Sequence, residues 1–152
     1  MNTVTISHED VEPPSWQPVP FILAVLEKLE KHSWDLSVLF CGKEKIQRLN
    51  EQYRNKNEPT DVLSFVMGEY EGDRFIPGDI VISPEAAEEN ARAFGVSPNE
   101  ELRRLLVHGI LHLSGMDHTT NDKEEPMLVF QEKLLEETRG MSFNCNKENW
   151  QC

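Results

Sequence analysis

The segment from Ser97 to Gly115 constrains the fold more than any other part of this sequence. Ser97-Pro98, followed by two glutamates, is a helix start signal, because serine caps free backbone amides and proline suits the first helical position. The second half of this helix is apolar nearly all round, which predicts that it is buried inside the domain. Gly115 can adopt the left-handed backbone that ends a helix. We therefore predict a central, buried helix that stops at Gly115.

Hydrophobic periodicity and turn residues divide the remaining sequence into four short strands and four further helices. Residues 43–54 show one apolar helical face, and the segment from Ser83-Pro84 to Gly95 carries both a start and a stop signal. About ten residues without a helix join the third and fourth strands, which favours an antiparallel pair over a parallel crossover. The predicted strands are residues 4–6, 36–41, 62–66 and 79–82, and the other helices cover roughly 19–32 and the stretch from Asn121 or Asp122 to about Thr138, with Gly140 as its end.

The composition fits one compact domain. The chain has 152 residues, of which 38% are hydrophobic, and it shows neither an internal repeat nor a linker between two units. We therefore predict a single domain over residues 1–152, in which the polar residues 141–152 form a flexible tail. The first ten residues have neither a basic region nor an apolar core, so no signal peptide is expected. The longest apolar stretch is too short to span a membrane.

Charge and cysteine content narrow the classes of partner and compartment. The formal net charge of -12 argues against tight, nonspecific binding to nucleic acid, because contacts with phosphates need local positive charge. Residues 35–60 are slightly basic, and a solvated helix face explains this as readily as a binding surface does. Cys41, Cys145 and Cys152 are odd in number and show no Cys-x-x-Cys spacing, which favours a reducing environment over a secreted disulfide scaffold. We predict a cytoplasmic protein without a membrane partner.

Three histidines near the end of the buried helix form the main candidate site. His108 and His112 are four residues apart, so their Cβ atoms lie about 5–6 Å apart on one helix face. Beyond Gly115 the chain turns, and His118 can return to the same ion. A single histidine on an apolar helix is more often a hydrogen-bonded core residue, but burying two imidazoles without partners is unfavourable. We predict one metal ion bound by all three, with a fourth position open for water, and hence metal-assisted hydrolysis.

The spacing of these histidines equals that of the long zinc-protease motif, with one change at Gly109. Those proteases carry at this position the glutamate that acts as general base. Without it, peptide hydrolysis loses its usual proton acceptor, so a metallopeptidase is our second hypothesis. Glycine within a helix also costs about 1 kcal/mol relative to alanine. Its presence indicates either close packing or space needed beside the metal.

Three segments of the chain carry a resemblance to a known family. One comprises Asn50 to Arg54 with Pro59 to Phe65, and another runs from Gly78 to Ser83. The third, His108 to His118, matches every fixed position of the signature His-Gly-x-Leu-His-Leu-x-Gly-x-Asp-His. Together, over about residues 34 to 138, they resemble the YbeY family of bacterial endoribonucleases that mature ribosomal RNA. Two departures, Met116 for a commoner tyrosine and Val66 for a commoner proline, remove no ligand.

The resemblance implies an α+β fold with a mixed sheet of about four strands packed under helices and a zincin-like site of three histidines. It implies one zinc ion per chain, bound by His108, His112 and His118, and a functional arginine at Arg54. The implied activity is metal-dependent, single-strand-directed endoribonuclease cleavage in 16S rRNA 3′-end maturation and ribosome quality control. The implied partners are ribosomal RNA, small-subunit ribosomal proteins and a ribosome-assembly GTPase, with no DNA and no membrane.

Two further residues have two interpretations each. From the sequence alone, Arg54 is best explained as a surface arginine at a helix end, whereas the resemblance favours a role in stabilising charge on a phosphoryl group. Asp117 can hold the second ring nitrogen of a histidine or cap the turn. A third functional hypothesis is a non-catalytic ribosome-assembly factor whose metal only stabilises the fold, against which an open metal position argues.

Overall fold

The computed structural model describes residues 1–12, 17–118 and 121–139 of the chain. Within these residues the chain has the predicted α+β character, and none of its helices is long and apolar enough to cross a membrane. In chain order the elements are β1 (Thr3–Glu9), α1 (Pro18–Lys28), β2 (Asp35–Cys41), α2 (Lys43–Arg54), β3 (Val62–Glu71), β4 (Arg74–Ile82), α3 (Pro84–Phe94), α4 (Pro98–Leu113) and α5 (Pro126–Thr138). The predicted tail over residues 141–152, with Cys145 and Cys152, lies outside the described residues, as does Gly140.

The strands form one mixed sheet in the order β1-β2-β4-β3. β1 and β4 both run parallel to β2, and β3 pairs with β4 in the antiparallel direction. The parallel pair β1 and β2 needs a crossover connection, which α1 supplies. The predicted four-stranded mixed sheet and the antiparallel third and fourth strands are both confirmed. β3 lies at one edge of the sheet.

The loop predicted between the third and fourth strands is wrong, because β3 continues to Glu71 and β4 begins at Arg74, so that only a short turn separates them. Gly68 and Pro77 favoured a loop in the sequence, since both residue types weaken strands. In the structure they lie where the pairing is irregular, next to the pair formed by Val66 and Gly78. A bulge accommodates proline because proline has no amide hydrogen to donate to the ladder. Pairing between two long strands therefore overrides the local signals.

α4 is the buried centre of the domain. Its apolar side chains, among them Leu106 and Ile110, are buried in a core shared with the sheet, α1 and α5. The face of the sheet that packs against α4 contributes Val38 and Ile80 to this core. The opposite face carries a smaller cluster that includes Ile46 of α2. This division follows from the strand period, in which alternate side chains point to opposite faces. The predicted burial of this helix is confirmed.

Gly109 allows α4 to lie close to the sheet. A Cβ atom at this position would be 2.9 Å from Cγ2 of Ile80 and 3.0 Å from its Cδ1, closer than side chains normally pack. Of the two explanations left open by the sequence, the structure therefore supports close packing. The missing side chain would point at Ile80, so a glutamate at Gly109 would meet the sheet. This argues further against a protease-like base at this position.

Two predicted helix boundaries are wrong. α1 ends at Lys28, before the predicted end near residue 32. α5 begins at Pro126 instead of at Asn121 or Asp122. Proline fits the first helical turn but drives the preceding residue into extended backbone, and Glu125 accordingly has φ -56° and ψ 133°. Asp122 instead accepts a hydrogen bond from a backbone amide in the turn before the helix.

Candidate metal centre

α4 and the turn that follows it bring the three predicted histidines together. His108 and His112 lie one helical turn apart, and their Nε2 atoms are 3.1 Å from each other. The ring centre of His118 lies 5.2 Å from that of His108 and 5.4 Å from that of His112. One nitrogen from each ring can be chosen so that all three lie within 4.8 Å of one another. Among the described residues, no other group of three or more histidine, cysteine or acidic side chains comes this close.

The turn that returns His118 to the helix depends on Gly115. Its φ of 101° lies in a range that residues with a Cβ atom rarely adopt. The backbone amides of Gly115 and Met116 donate to the carbonyl oxygens of His112 and Leu111, both at 3.0 Å. These bonds satisfy carbonyls of the last helical turn, which would otherwise have no partner within the helix. The predicted role of Gly115 at the end of the helix is confirmed.

The surroundings of His108 and His112 favour neutral imidazoles. Burial lowers the pKa of His108, and the charge on His118 acts in the same direction, although the hydrogen bond to Gln131 opposes both effects. Burial also lowers the pKa of His112, and the charge on His108 adds to this effect. A protonated imidazole has no free lone pair, so the neutral form is the one that binds a metal ion.

The donor set fits a divalent transition-metal ion. Nitrogen atoms at roughly 2.0–2.1 Å from a tetrahedral zinc ion are about 3.3 Å apart. The Nε2 atoms of His108 and His112 are 3.1 Å apart, and one nitrogen of each ring lies within 4.8 Å of the other two, so the observed distances bracket that spacing. Imidazole nitrogens are preferred ligands of zinc, copper, iron and nickel. The group is therefore compatible with a metal cofactor, and its donors do not single out one metal.

Asp117 and Gln131 differ in how they contact the histidines. Asp117 is exposed, and its Oδ1 lies 3.8 Å from Nδ1 of His112, too far for a hydrogen bond. The same oxygen accepts a hydrogen bond from the amide of His118 at 2.8 Å, so the turn-capping interpretation is the one that the contacts support. In contrast, Oε1 of Gln131 lies 2.6 Å from Nδ1 of His108. The sequence interpretation missed Gln131, whose signal is a polar residue at a buried position of α5.

Arg54 reaches the same site from a different part of the chain. It is the last residue of α2, and its Nη2 donates to the carbonyl oxygen of Ser64 in β3 at 3.0 Å. Both residues line an open cleft of about 370 Å³ together with His112 and Asp117. The arginine is exposed, so a ligand in this cleft could reach its guanidinium. Ser64, which the sequence interpretation did not single out, thus helps to orient Arg54.

Comparison with known proteins agrees with the resemblance seen in the sequence. A family model described as Endoribonuclease YbeY matches residues 14–139. A protein named Endoribonuclease YbeY from Treponema denticola is 49% identical, with the match covering 92% of this chain and 96% of that protein. A protein of the same name from Borrelia turicatae is 51% identical, over 78% of this chain and 82% of its own.

A solved structure is also similar. The solution structure of TM1509 from Thermotoga maritima superposes with a TM-score of 0.58 at 32% sequence identity, covering 91% of this chain and 90% of that one. The family match covers most of the chain, including α4 with its histidines and the α2–β3 region with Arg54. The chain therefore belongs to the Endoribonuclease YbeY family.

Proposed function

We propose that this chain is a zinc-dependent endoribonuclease that cleaves single-stranded segments of ribosomal RNA, acting in 16S rRNA 3′-end maturation and ribosome quality control. The observation that carries the proposal is that His112, a member of the histidine cluster, and Arg54 line the same cleft. RNA as the substrate class is supported by the relatives named as endoribonucleases. His108, His112 and His118 would hold one zinc ion per chain.

In the proposed cleavage reaction, the zinc ion and Arg54 both stabilise negative charge on the phosphate. When bound, a zinc ion supplies Lewis-acid stabilisation of negative charge on a phosphate oxygen. The hydrogen bond from Arg54 to the carbonyl oxygen of Ser64 holds the guanidinium at the cleft. A guanidinium carries five N–H donors, so further donors can bind two oxygens of a phosphate and stabilise charge that develops during cleavage. Arg54 is therefore the proposed catalytic residue.

The proposed preference for single strands follows from the shape and charge of the protein. A cleft of about 370 Å³ admits a flexible backbone more easily than a stiff duplex. The net charge of -12 leaves little general attraction for RNA. We therefore assign the placement of the substrate to small-subunit ribosomal proteins and a ribosome-assembly GTPase in the cytoplasm.

The direct test is cleavage by the purified protein of single-stranded RNA, duplex RNA and casein, each with and without a chelator. The proposal expects cleavage of the single strand alone, loss of activity with chelator, and recovery when zinc is restored. Chelator-sensitive cleavage of casein with intact RNA would favour the metallopeptidase hypothesis. Zinc binding without cleavage of either substrate, in the presence of ribosomal subunits as well, would favour the non-catalytic assembly factor.

A second experiment identifies the attacking group. If the RNA 2′-hydroxyl attacks, the products carry a 2′,3′-cyclic phosphate and a 5′-hydroxyl, and a 2′-deoxy substitution at the cleaved position abolishes cleavage. If water attacks, cleavage of that substituted strand persists and no cyclic phosphate forms. Either outcome is compatible with the proposed site, because the contacts of Arg54 do not distinguish the two.

A further inference from the structure

A line of hydrogen bonds lies behind His108, on the side away from His112. Gln131 of α5 is 7% exposed, and its Oε1 is 2.6 Å from Nδ1 of His108. The other end of the same amide, Nε2, donates to Oε2 of Glu132 at 3.1 Å. Gln131 and Glu132 both lie outside the histidine motif, and the contact between Gln131 and His108 depends on the packing of α5 against α4.

An ion pair fixes the direction of the Gln131 amide. Nε and Nη2 of Arg104 donate to the two carboxylate oxygens of Glu132 at 2.9 Å and 3.1 Å. Nη1 of the same arginine donates to Oε1 of Glu101 at 2.9 Å. A carboxylate paired with arginine in this way can only accept hydrogen bonds. The NH₂ group of Gln131 must therefore face Glu132, and its carbonyl oxygen must face His108.

The direction of the amide determines which nitrogen of His108 carries the ring proton. A carbonyl oxygen accepts but cannot donate, so the 2.6 Å contact requires a hydrogen on Nδ1. A neutral imidazole has one ring proton, which leaves a lone pair on Nε2. Nε2 is the atom that faces His112, at 3.1 Å from its Nε2. The hydrogen bond thus presents the lone pair of His108 to the centre of the cluster.

We infer that Gln131 is a positioning residue of the metal site, which holds His108 in the Nδ1–H tautomer and in the ring orientation that binds a divalent transition-metal ion through Nε2. Glu132 and Arg104 act behind it by keeping the amide from flipping. The inference rests on the metal binding of the proposed function and extends that site to α5. Partners that orient ligand histidines in this way typically change metal affinity by roughly 10–100-fold when removed.

The first test is the zinc affinity of purified variants, measured by competition with a chromogenic chelator. Gln131→Leu should bind zinc roughly 10–100-fold more weakly than the parent. Thr138→Val is the matched control, because it removes another buried polar group of α5 whose hydrogen bonds stay within that helix. Its zinc affinity should equal that of the parent.

The second test reads the tautomer of His108 directly by nitrogen-15 NMR of the histidine rings. At pH 8, where imidazoles are neutral, the metal-free parent should show a protonated Nδ1 on His108. Gln131→Leu should show a mixture of the two tautomers. The parent spectrum does not depend on any variant, so it tests the inference even if Gln131→Leu fails to fold.

The outcomes separate this inference from the proposed metal site. If the parent binds no zinc, the metal site itself fails. If the parent binds zinc but Gln131→Leu binds it equally well, the metal site stands and the role of Gln131 is overturned. The role is also overturned if Thr138→Val loses as much affinity as Gln131→Leu, or if His108 of the parent is protonated on Nε2.

Discussion

The two sides of the cleft are built in different ways. The histidine side comes from one short stretch, His108 to His118, whose geometry follows from helical spacing and a single turn. The arginine side joins α2 to β3 through one hydrogen bond from Arg54 to Ser64, and it is exposed. Short-range chain geometry therefore fixes the first side, and tertiary packing fixes the second. We expect changes on the histidine side to remove metal and activity together, and changes on the arginine side to reduce activity alone.

The largest effect is expected from His112→Ala. This variant removes one of the three proposed ligands, and two imidazoles alone hold a zinc ion weakly. Metal analysis of the purified parent should find about one zinc ion per chain, and the variant should retain almost none and lose RNA cleavage with it. A chain lacking both His108 and His112 that still carried a full complement of zinc would show that the metal lies elsewhere.

Arg54→Ala should give the next largest effect, with a loss of cleavage but no loss of zinc. Removing one preorganised charge donor lowers a cleavage rate on the order of a hundredfold or more. The variant should keep its zinc and melt within a few degrees of the parent, because Arg54 is exposed and is not a ligand. Lysine at this position should restore activity in part, since it lacks the two-pronged geometry of arginine.

The matched control for Arg54 is Arg48→Ala, which removes an exposed arginine from the same helix. Cleavage by this variant should be nearly unchanged at moderate salt. An equal loss in both variants would mean that α2 attracts RNA as a diffuse basic surface. In that case the comparison between the two sides of the cleft would fail.

The pH dependence of metal binding should report on the histidine side of the cleft alone, because it depends on the protonation of His108 and His112. Burial lowers the pKa of both His108 and His112, so they stay neutral below the ordinary value of about 6.5. Zinc should therefore be retained as the pH falls to 6.5, and its affinity should drop as the pH passes the lowered values, by about tenfold per pH unit for each ligand that protonates. Dialysis across this range followed by metal analysis provides the measurement.

The same pKa shifts determine the direction in which the stability of the metal-free protein changes with pH. Between the lowered pKa values and about 6.5, the unfolded chain binds protons that the folded chain excludes. The free energy of unfolding should therefore decrease as the pH falls through this window. Replacing His108 with an uncharged residue should flatten that decrease, and an unchanged slope would contradict the assignment.

The smallest effect should come from Gly109→Ala. The added methyl group would approach Ile80 to 2.9 Å, and overpacking typically costs about 1–3 kcal/mol. Alanine offsets about 1 kcal/mol of this through its higher helix propensity. We expect a net loss of roughly 1 kcal/mol in denaturant titration, with zinc content unchanged. Gly42→Ala is the control, because a Cβ atom there would lie 3.7 Å from the nearest side-chain atom.

The parts of the fold that were predictable depend on signals close together in the chain. The bounds of α2 and α3 agree with the prediction. α2 carries one apolar face and is followed by the turn residue Asn55, and α3 has a capping serine and a proline at its start and a glycine at its end. The histidine cluster was predictable for the same reason. The long hairpin of β3 and β4 was not, because strand pairing outweighed the local signals of Gly68 and Pro77.

The incorrect start of α5 and the contact that was not predicted show which structural information local sequence patterns do not contain. The start of α5 was misplaced because an acidic residue in a turn resembles a helix cap, while the stronger signal of Pro126 was overlooked. The contact between Gln131 and His108 required α5 to pack on α4, which no local pattern specifies. A polar residue between Met127 and Leu134 on the buried face of a helix is nevertheless a detectable irregularity. A polar residue at such a buried position can belong to a functional site even though it lies outside the sequence motif.

The short stretch that carries all three histidines also affects the order in which the molecule assembles. One helix and one turn form in about a microsecond or less, so His108, His112 and His118 can meet early in folding. We expect the sheet to form later, because pairs such as Thr3 with Asp35 join distant parts of the chain and forming them requires a large loss of chain entropy. Arg54 reaches the cleft only after β3 is in place. We therefore predict that, as the chain folds, the three proposed metal ligands come together before Arg54 reaches the cleft.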